Sequence, residues 1–239
     1  MCRGRASSRL GSSGGSLHAA GLDLVSGQQP DWRHRGPAPR NPMTRRLLLV
    51  GGSAGSGKST VARSLASQLG AGWLQLDTVW VALKAAAETG TPAYDQLAVD
   101  QRMADENDSD EAILTALVAA AETVCRVLPE VFAFELATHD VLVGDGAWLV
   151  PSFVAGLALD ETDVAAIYLQ HASPEAVTTA LAPRLAGRDR QARHVRVDRR
   201  IWQYGDWLAA EARRHGFPVL DPLPFDSLDA RAAYALGIG

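Results

Sequence analysis

The chain has 239 residues, 47% of them hydrophobic, and a formal net charge of −4. Such a chain is long and apolar enough for one α/β domain or two small ones with a sizeable buried core. The charge is uneven, because residues 1–42 carry six arginines against two aspartates, which leaves −8 on the remainder and makes it a poor general binder of nucleic acids.

The first 42 residues are rich in Gly, Ser, Arg and Pro and show no hydrophobic periodicity. This composition predicts a disordered tail, because it offers too little apolar surface to offset the entropy of ordering. The tail lacks the apolar region of a secretory signal, although its Arg and Ser content is compatible with a transit peptide. Met43 directly before TRRLLLV favours a simpler hypothesis, that translation starts there and one domain covers residues 43–239. Mass spectrometry of the native N-terminus tests it, and peptides from the tail would contradict it.

From Arg45 onward, short apolar runs alternate with segments of helical spacing. The apolar runs predict strands at residues 46–50, 73–77, 140–144, 164–169 and 218–221. Helical spacing predicts helices at residues 57–69, 78–87, 110–127, 130–138, 173–185 and 198–216. The expected caps are Ser109 or Asp110, Ser173 and Asp198, and residues 88–110 are acidic and irregular. Strands separated by helices predict an α/β fold with about five parallel strands and helices on both faces.

The stretch GSAGSGKST follows the first predicted strand and opens the first predicted helix. It matches the phosphate-binding pattern G-x-x-x-x-G-K-[ST] at every fixed position. Glycines allow successive backbone N–H groups to surround a phosphate, and the helix N-terminus attracts the same anion. Lys58 is expected to reach the β and γ phosphates of a nucleotide, and the Ser59 hydroxyl to bind Mg²⁺. The predicted nucleotide-binding residues are Gly52, Ser53, Ala54, Gly55, Ser56, Gly57, Lys58, Ser59 and Thr60.

With this motif, the chain from Met43 onward resembles the P-loop kinases of the nucleoside-monophosphate, shikimate and gluconate kinase group. The resemblance implies the three-layer P-loop NTPase fold and transfer of the γ-phosphate of ATP, with Mg²⁺, to a small-molecule acceptor. Asp77, in LQLDTVW at the end of the second predicted strand, matches an acid that faces the acceptor in that group. Asp145, in VLVGDGAWLVP after the third, matches an acid that holds Mg²⁺ through water, although its flanking glycines depart from the group's usual apolar run.

The segment of residues 184–200 contains seven arginines and two aspartates. It resembles the lid of the same group, which closes over the transferred phosphate. Arg184, Arg188 and Arg190 lie nearest the loop expected to close and are the predicted catalytic arginines. The same run is also compatible with a solvated helix face, because charge runs usually are.

The resemblance further places the acceptor under the helices of residues 78–138 and the adenine against residues 221–225. Lys58 and Asp77 complete the predicted catalytic set, with Asp77 orienting or deprotonating the acceptor hydroxyl. Two plainer interpretations stay open. Asp77 could simply cap the helix that begins at the next residue, and Asp145 between two glycines could be a turn residue.

Two other functions are also compatible with the motif. One is an ATP-binding switch or sensor without a phosphoryl acceptor, and the other is a P-loop transferase that modifies an antibiotic. A GTP switch of the Ras type needs an N/T-K-x-D motif, which this chain lacks because its only other lysine is Lys84, in LKA. No motif identifies the acceptor or the oligomeric state. The acidic residues between 88 and 111 argue mildly against a highly anionic acceptor, unless the arginines of residues 184–200 supply all the countercharge.

The remaining signals concern redox chemistry, metals and location. Cys2 and Cys125 lie far apart, so no disulfide framework or cysteine-based metal site is expected. The acidic run DENDSDE lacks the Gly and Glu that a calcium loop needs at its sixth and twelfth positions. No window approaches 18 uninterrupted apolar residues. We therefore expect a cytoplasmic protein with a small-molecule partner and neither a nucleic-acid nor a membrane partner.

Overall fold

A computed structural model describes residues 44–185 and 192–238, except for the side chains of residues 184, 185 and 192–194. The predicted tail and Met43 lie outside the described residues. The strands are β1 Arg45–Gly52, β2 Gly72–Gln75, β3 Val141–Gly146, β4 Thr162–Leu169 and β5 Val219–Leu220. The helices are α1 Lys58–Leu69, α2 Asp77–Ala86, α3 Pro92–Leu97, α4 Val99–Arg102, α5 Asp110–Cys125, α6 Leu128–Leu136, α7 Pro151–Ala155, α8 Pro174–Leu181, α9 Ala192–Arg214 and α10 Leu228–Ala235.

The strands form a parallel sheet in the order β2-β3-β1-β4-β5. The central strand β1 serves two cores, because Leu47 and Leu49 pack in one and Leu48 and Val50 in the other. Successive side chains of a strand point to opposite faces, so helices must cover both. Residues of α5, α6 and α9 belong to the first core, and residues of α1 and α10 to the second. The predicted α/β class with a three-layer P-loop fold is confirmed.

Several predicted helix ends are confirmed by their capping hydrogen bonds. The Ser109 hydroxyl accepts from the backbone N–H of Ala112 at 3.1 Å and so begins α5. The Ser173 hydroxyl accepts from that of Ala176 at 3.4 Å and begins α8, with a proline in the first turn. Each of these side chains satisfies a donor that the first helical turn leaves without an intrahelical partner.

Other predicted boundaries are wrong. Residues 88–110, expected to be irregular, contain α3 and α4, because Thr91 caps a helix that Pro92 opens. Asp198 does not cap a helix; it lies inside α9, where it is buried. β2 ends at Gln75, two residues earlier than predicted, so the residues that follow begin α2 instead.

Helices α5 and α6 follow one another with a bend of 42°. Their inward side chains, among them Ile113, Leu117, Leu128 and Phe132, pack in the first core. In the part of the chain that the structure describes, no single helix is long and apolar enough to cross a membrane. The bent pair α5 and α6 reaches that length and apolar composition only when the two helices are taken together.

The buried Arg200 of α9 binds the acidic segment, residues 102–110, to that helix. Arg200 is 2% exposed. Its guanidinium donates to Asp110 Oδ1 at 2.9 Å and to the carbonyl oxygens of Met103 at 2.9 Å and Asp105 at 3.0 Å. It also donates to two further carbonyl oxygens of the same segment. A planar group with five N–H donors suits such a set of acceptors, which a lysine could not match.

Two further arginines of α9, the exposed Arg199 and the partly buried Arg196, form ion pairs with the acidic segment. Arg199 Nη2 lies 2.6 Å from Asp110 Oδ2, and Arg196 Nη1 lies 3.1 Å from Glu106 Oε1. Burial alone would raise the pKa of Asp110, but the hydrogen bond from Arg200 and the charges of Arg199 and Arg200 outweigh it, so the pKa lies below the ordinary value. Asp110 is therefore ionised throughout the neutral range.

We expect the free energy of unfolding to fall in acid partly because of Asp110. Its pKa is lower in the folded chain than in the unfolded chain, so the unfolded chain binds more protons. The stabilisation is complete above the ordinary aspartate value of about 4 and is lost as the pH falls through that value and below it. Urea unfolding between neutral pH and pH 3 measures the slope. Asp110→Asn should flatten it, whereas Glu111→Gln, at an exposed neighbour, should not; equal slopes in both variants would contradict the prediction.

Candidate functional site

The loop between β1 and α1, called the phosphate loop below, has the backbone conformation that a phosphate cradle requires. Gly52, Gly55 and Gly57 have φ angles of 140°, 82° and 85°, in the region that L-residues with side chains disfavour. Gly57 is also the N-cap of α1. A Cβ at Gly52 would stand 2.9 Å from the Ser56 hydroxyl. The loop is thus compact, and the N-terminus of α1 opens into it.

Lys58 lies across this loop. Its side chain is 7% exposed, and Nζ lies 3.5 Å from the carbonyl oxygen of Ser53, a long contact. The hydroxyls of Ser53 and Ser56 are buried and have no hydrogen-bond partner among the described residues. The loop therefore presents one cation and a set of backbone donors, as an anion site at a helix N-terminus does.

Asp145 lies inside β3, paired with Val50 and Gln75, and not in a turn as one interpretation of the sequence had it. It is fully buried. One carboxylate oxygen accepts from the Ser59 hydroxyl at 2.5 Å, and the other accepts from the Trp73 indole N–H at 2.7 Å. The carboxylate and the serine oxygen of the predicted magnesium site are therefore in direct contact.

This pair of oxygens fits Mg²⁺ as a shared ligand of protein and nucleotide. Magnesium prefers oxygen ligands and is commonly held by one or two protein groups, with phosphate oxygens and water completing the shell. Ser59 stands at the start of α1, next to the lysine of the loop, where phosphate oxygens would also lie. The donor set is thus compatible with the metal that the sequence predicts.

Asp77 was predicted to end β2, but it is the first residue of α2. The N-cap position belongs to Leu76, which makes no side-chain capping bond, so Asp77 is not the cap either. Its Oδ1 lies 3.5 Å from the backbone N–H of Ala147, just after β3. The Ala147 carbonyl oxygen in turn accepts from the Tyr204 hydroxyl at 2.8 Å. Asp77 therefore sits beside the carboxyl end of β3, which is where a ligand of a parallel sheet binds.

Tyr204 is held as a neutral donor at this place. Burial raises the pKa of its phenol well above the usual value, and the neighbouring Cys125 and Asp77 raise it further. The hydroxyl therefore keeps its proton and its bond to Ala147 at all ordinary pH values. Tyr204 also lines a cavity next to the phosphate loop.

Two cavities adjoin the loop. The first, of about 320 Å³, touches Ser53 and Ala54 and extends between α4, α5 and α9; it is called the inner cavity below. The second, of about 420 Å³, touches Gly55, Gly57 and Thr60 and is closed by residues of α8 and by Leu223 and Phe225; it is called the outer cavity. The outer cavity thus includes part of the segment 221–225 that was expected to seat the adenine.

The predicted catalytic arginines are not placed by the structure. Arg188 and Arg190 lie outside the described residues, as does the side chain of Arg184. The arginines of α9 that are described at the other end of the predicted lid, Arg196, Arg199 and Arg200, bind the acidic segment instead. Within the described part, this half of the arginine run holds the fold together and does not face the phosphate loop.

Three residues at the site were not singled out from the sequence for a role there. Trp73 binds Asp145, and His171, after β4, has its Nε2 3.1 Å from the carbonyl oxygen of Gly55. Gly205 lets α9 approach the loop, because a Cβ there would stand 2.6 Å from the Ser53 hydroxyl. Two weak signals were available: His171 follows a predicted strand of a parallel sheet, and Gly205 is an isolated glycine inside a helical pattern.

Solved structures of several kinases resemble the chain at low identity. A gluconokinase from Sinorhizobium meliloti 1021 is 16% identical, with a TM-score of 0.44, over 81% of this chain and 92% of that one. A shikimate kinase from Acinetobacter baumannii, in complex with shikimate, is 13% identical with a TM-score of 0.47, over 82% and 93%. One from Bacteroides thetaiotaomicron is 18% identical with a TM-score of 0.44, over 81% and 98%. No family model and no curated protein matches the chain.

Proposed function

We propose that the protein is a phosphotransferase that moves the γ-phosphate of ATP to a small-molecule acceptor. The observation that carries this proposal is the position of the phosphate loop between two cavities. A nucleotide switch needs one cavity, for its base, whereas a kinase needs a second one for the acceptor, on the other side of the transferred phosphate. Ser53 and Ala54 line the inner cavity, and Gly55 and Gly57 line the outer one.

On the nucleotide side, the chain supplies mainly positioning and charge, which is most of what phosphoryl transfer requires. The backbone N–H groups of residues 52–60 and the Lys58 ammonium would hold the β and γ phosphate oxygens, and the outer cavity would receive the base. Ser59 and Asp145 would hold Mg²⁺. Bound Mg²⁺ neutralises negative charge on the phosphates during transfer. Trp73 would keep the carboxylate of Asp145 oriented through its indole N–H.

On the acceptor side, Asp77 is the candidate general base. Its Oδ1 lies 3.5 Å from the backbone N–H of Ala147, a residue that lines the inner cavity. Its carboxylate would orient the acceptor hydroxyl and accept its proton as the oxygen attacks the γ-phosphorus. The arginines at 184, 188 and 190 would neutralise charge on the transferred group, as the resemblance implies.

The proposal is tested first by nucleotide binding and then by transfer. Thermal shifts with ATP, ADP and GTP, each with and without Mg²⁺, should show stabilisation that is greatest with magnesium and an adenine nucleotide. Phosphate-labelled ATP is then incubated with a panel of sugar acids, polyols, nucleosides and neutral alcohols. Transfer of label to an acceptor supports the proposal. Binding of ATP with slow hydrolysis and no transfer to any acceptor would favour a switch or sensor instead.

Replacing Asp77 with asparagine separates catalysis from helix stability. If Asp77 is the base, kcat should fall by about 10²- to 10⁴-fold, and the thermal shift caused by ATP should stay unchanged. Asp95→Asn is the matched control, because Asp95 is also an acid in the first turn of a helix, α3, and is exposed. If kcat is unchanged in Asp77→Asn, Asp77 is not the base, and its only remaining role is to stabilise α2 as an acid at the helix N-terminus.

A further inference from the structure

The inner cavity has mostly apolar walls. At about 320 Å³ it lies near the lower end of the range for small-molecule sites. Its walls are mostly apolar side chains, namely Val99, Met103, Leu117, Trp148, Val197 and Ile201. The four elements that supply most of them, α4, α5, α9 and the loop after β3, meet above the phosphate loop.

The polar side chains that line the inner cavity are already engaged or out of reach. The carboxylate of Asp100 pairs with the Lys84 ammonium at 2.8 Å. The Tyr204 hydroxyl donates to a backbone carbonyl oxygen. The Ser53 hydroxyl and the Trp148 indole N–H have no hydrogen-bond partner among the described residues, but both atoms are buried. A ligand in this cavity therefore meets mostly apolar surface, and the Asp77 carboxylate lies beside one wall, 3.5 Å from the backbone N–H of Ala147.

The charges of the residues that line the inner cavity also favour an uncharged ligand. Among the described residues that line the inner cavity, none is a lysine or an arginine, and the one charged residue is an aspartate. An acceptor with a carboxylate or a phosphate would lose its hydration here without a cation to replace it, which is strongly unfavourable. A polyol would leave several hydroxyls without partners, at a cost of about 1–3 kcal/mol each.

We infer that the acceptor is a small uncharged molecule with an aromatic or alicyclic body and a hydroxyl group. This inference rests on the proposed phosphotransfer, whose substrate class it names. The body fills the inner cavity, and the hydroxyl lies at the edge shared by Asp77 and the phosphate loop. The hydroxyl oxygen forms a bond to the γ-phosphorus, the bond from that phosphorus to the β–γ bridging oxygen breaks, ADP leaves, and the hydroxyl proton passes to the Asp77 carboxylate.

Binding without ATP tests the cavity separately from catalysis. Titration calorimetry compares neutral alcohols, such as 2-phenylethanol, cyclohexylmethanol and 4-isopropylbenzyl alcohol, with gluconate and shikimate. We expect at least one neutral alcohol to bind and the two acids to bind more weakly or not at all. Tighter binding of the acids, or no binding by any neutral alcohol, would overturn the inference.

A cavity-filling variant shows where the alcohol binds. Val197→Phe adds a ring to the wall of the inner cavity and should weaken alcohol binding by about tenfold or more, because the ring takes space that the ligand's apolar surface needs. Val195→Phe is the matched control, since Val195 lies on the same helix but is 66% exposed and does not line the cavity. Equal affinity in both variants would also overturn the inference. ATP-induced thermal shifts show that both variants fold.

Transfer from labelled ATP then separates the two proposals. Phosphate transfer to the neutral alcohols, with a higher KM in Val197→Phe, supports both. Transfer only to sugar acids refutes the substrate class and leaves the phosphotransferase in place. Alcohol binding at the inner cavity without transfer to any acceptor refutes the phosphotransferase and leaves the inner cavity as a site for neutral ligands.

Discussion

Replacing Lys58 with alanine is expected to lower kcat for phosphate transfer by about 10³-fold or more. Removing one preorganised donor from a developing charge already costs about 10²- to 10³-fold in rate. A cation contributes more than a neutral donor, so its loss should cost at least as much. No other lysine can replace it, because the chain's only other lysine, Lys84, pairs with Asp100. The thermal shift caused by ATP should also shrink. Labelled-phosphate transfer and thermal melting measure the two effects.

The control for Lys58→Ala must remove a cation elsewhere. Arg213→Ala serves, because Arg213 is exposed in the last turn of α9; its activity should match that of the wild type. Lys58→Arg is informative too, since a planar guanidinium is bulkier than an ammonium and should restore little activity. Turnover like that of the wild type in Lys58→Ala would contradict the proposed function, provided that the melting temperature without nucleotide is unchanged.

Replacing Arg200 with methionine is expected to lower the free energy of unfolding by about 3 kcal/mol or more, in the range for breaking a buried ion pair by removing one partner. Methionine keeps much of the volume but leaves the carbonyl oxygens of the acidic segment without their donor. For a chain of this size, the loss corresponds to a melting temperature roughly 6–12 °C lower. Urea unfolding followed by circular dichroism measures it.

Arg196→Met is the matched control for that prediction. Arg196 lies one turn before Arg200 on α9 and pairs with Glu106, whose side chain is 77% exposed. Exposed pairs of this kind contribute about 0–1 kcal/mol. The two variants remove the same charge from the same helix, so a difference between them isolates the buried contacts. Equal losses in both would show that the acidic segment is held by general charge attraction and not by the guanidinium of Arg200.

The sheet and the phosphate loop could be predicted because their signals are local. The apolar run before GSAGSGKST and the helical spacing after it predict β1 and α1 almost to the residue. Asp145 was singled out because it ends the third apolar run, and it lies in β3 beside Ser59, although the flanking glycines suggested a turn. Asp77 was found by the same logic and placed in the wrong element, since the residues around it are apolar enough for either a strand or a helix.

The remainder depends on contacts between distant segments, which a single sequence does not display. Arg200 and the acidic segment are both visible as charge runs, but their pairing across about 90 residues is not. The inner cavity is apolar because α4, α5 and α9 turn particular faces toward one another, whereas the sequence shows only scattered aliphatic residues in each. The pairing of Trp73 with Asp145 likewise follows from the neighbouring positions of β2 and β3.

Gly205 shows that the phosphate loop is not a self-contained part. The loop consists of nine consecutive residues, yet α9, about 150 residues further along the chain, packs against its Ser53 end. It can do so because Gly205, the residue of α9 at that point, has no side chain. Transplanting residues 52–60 into another strand-helix unit would carry over the glycines and the lysine but not this backing surface. A designer who wishes to reuse the motif therefore has to supply a second segment, with a glycine facing the loop, to obtain the same shape.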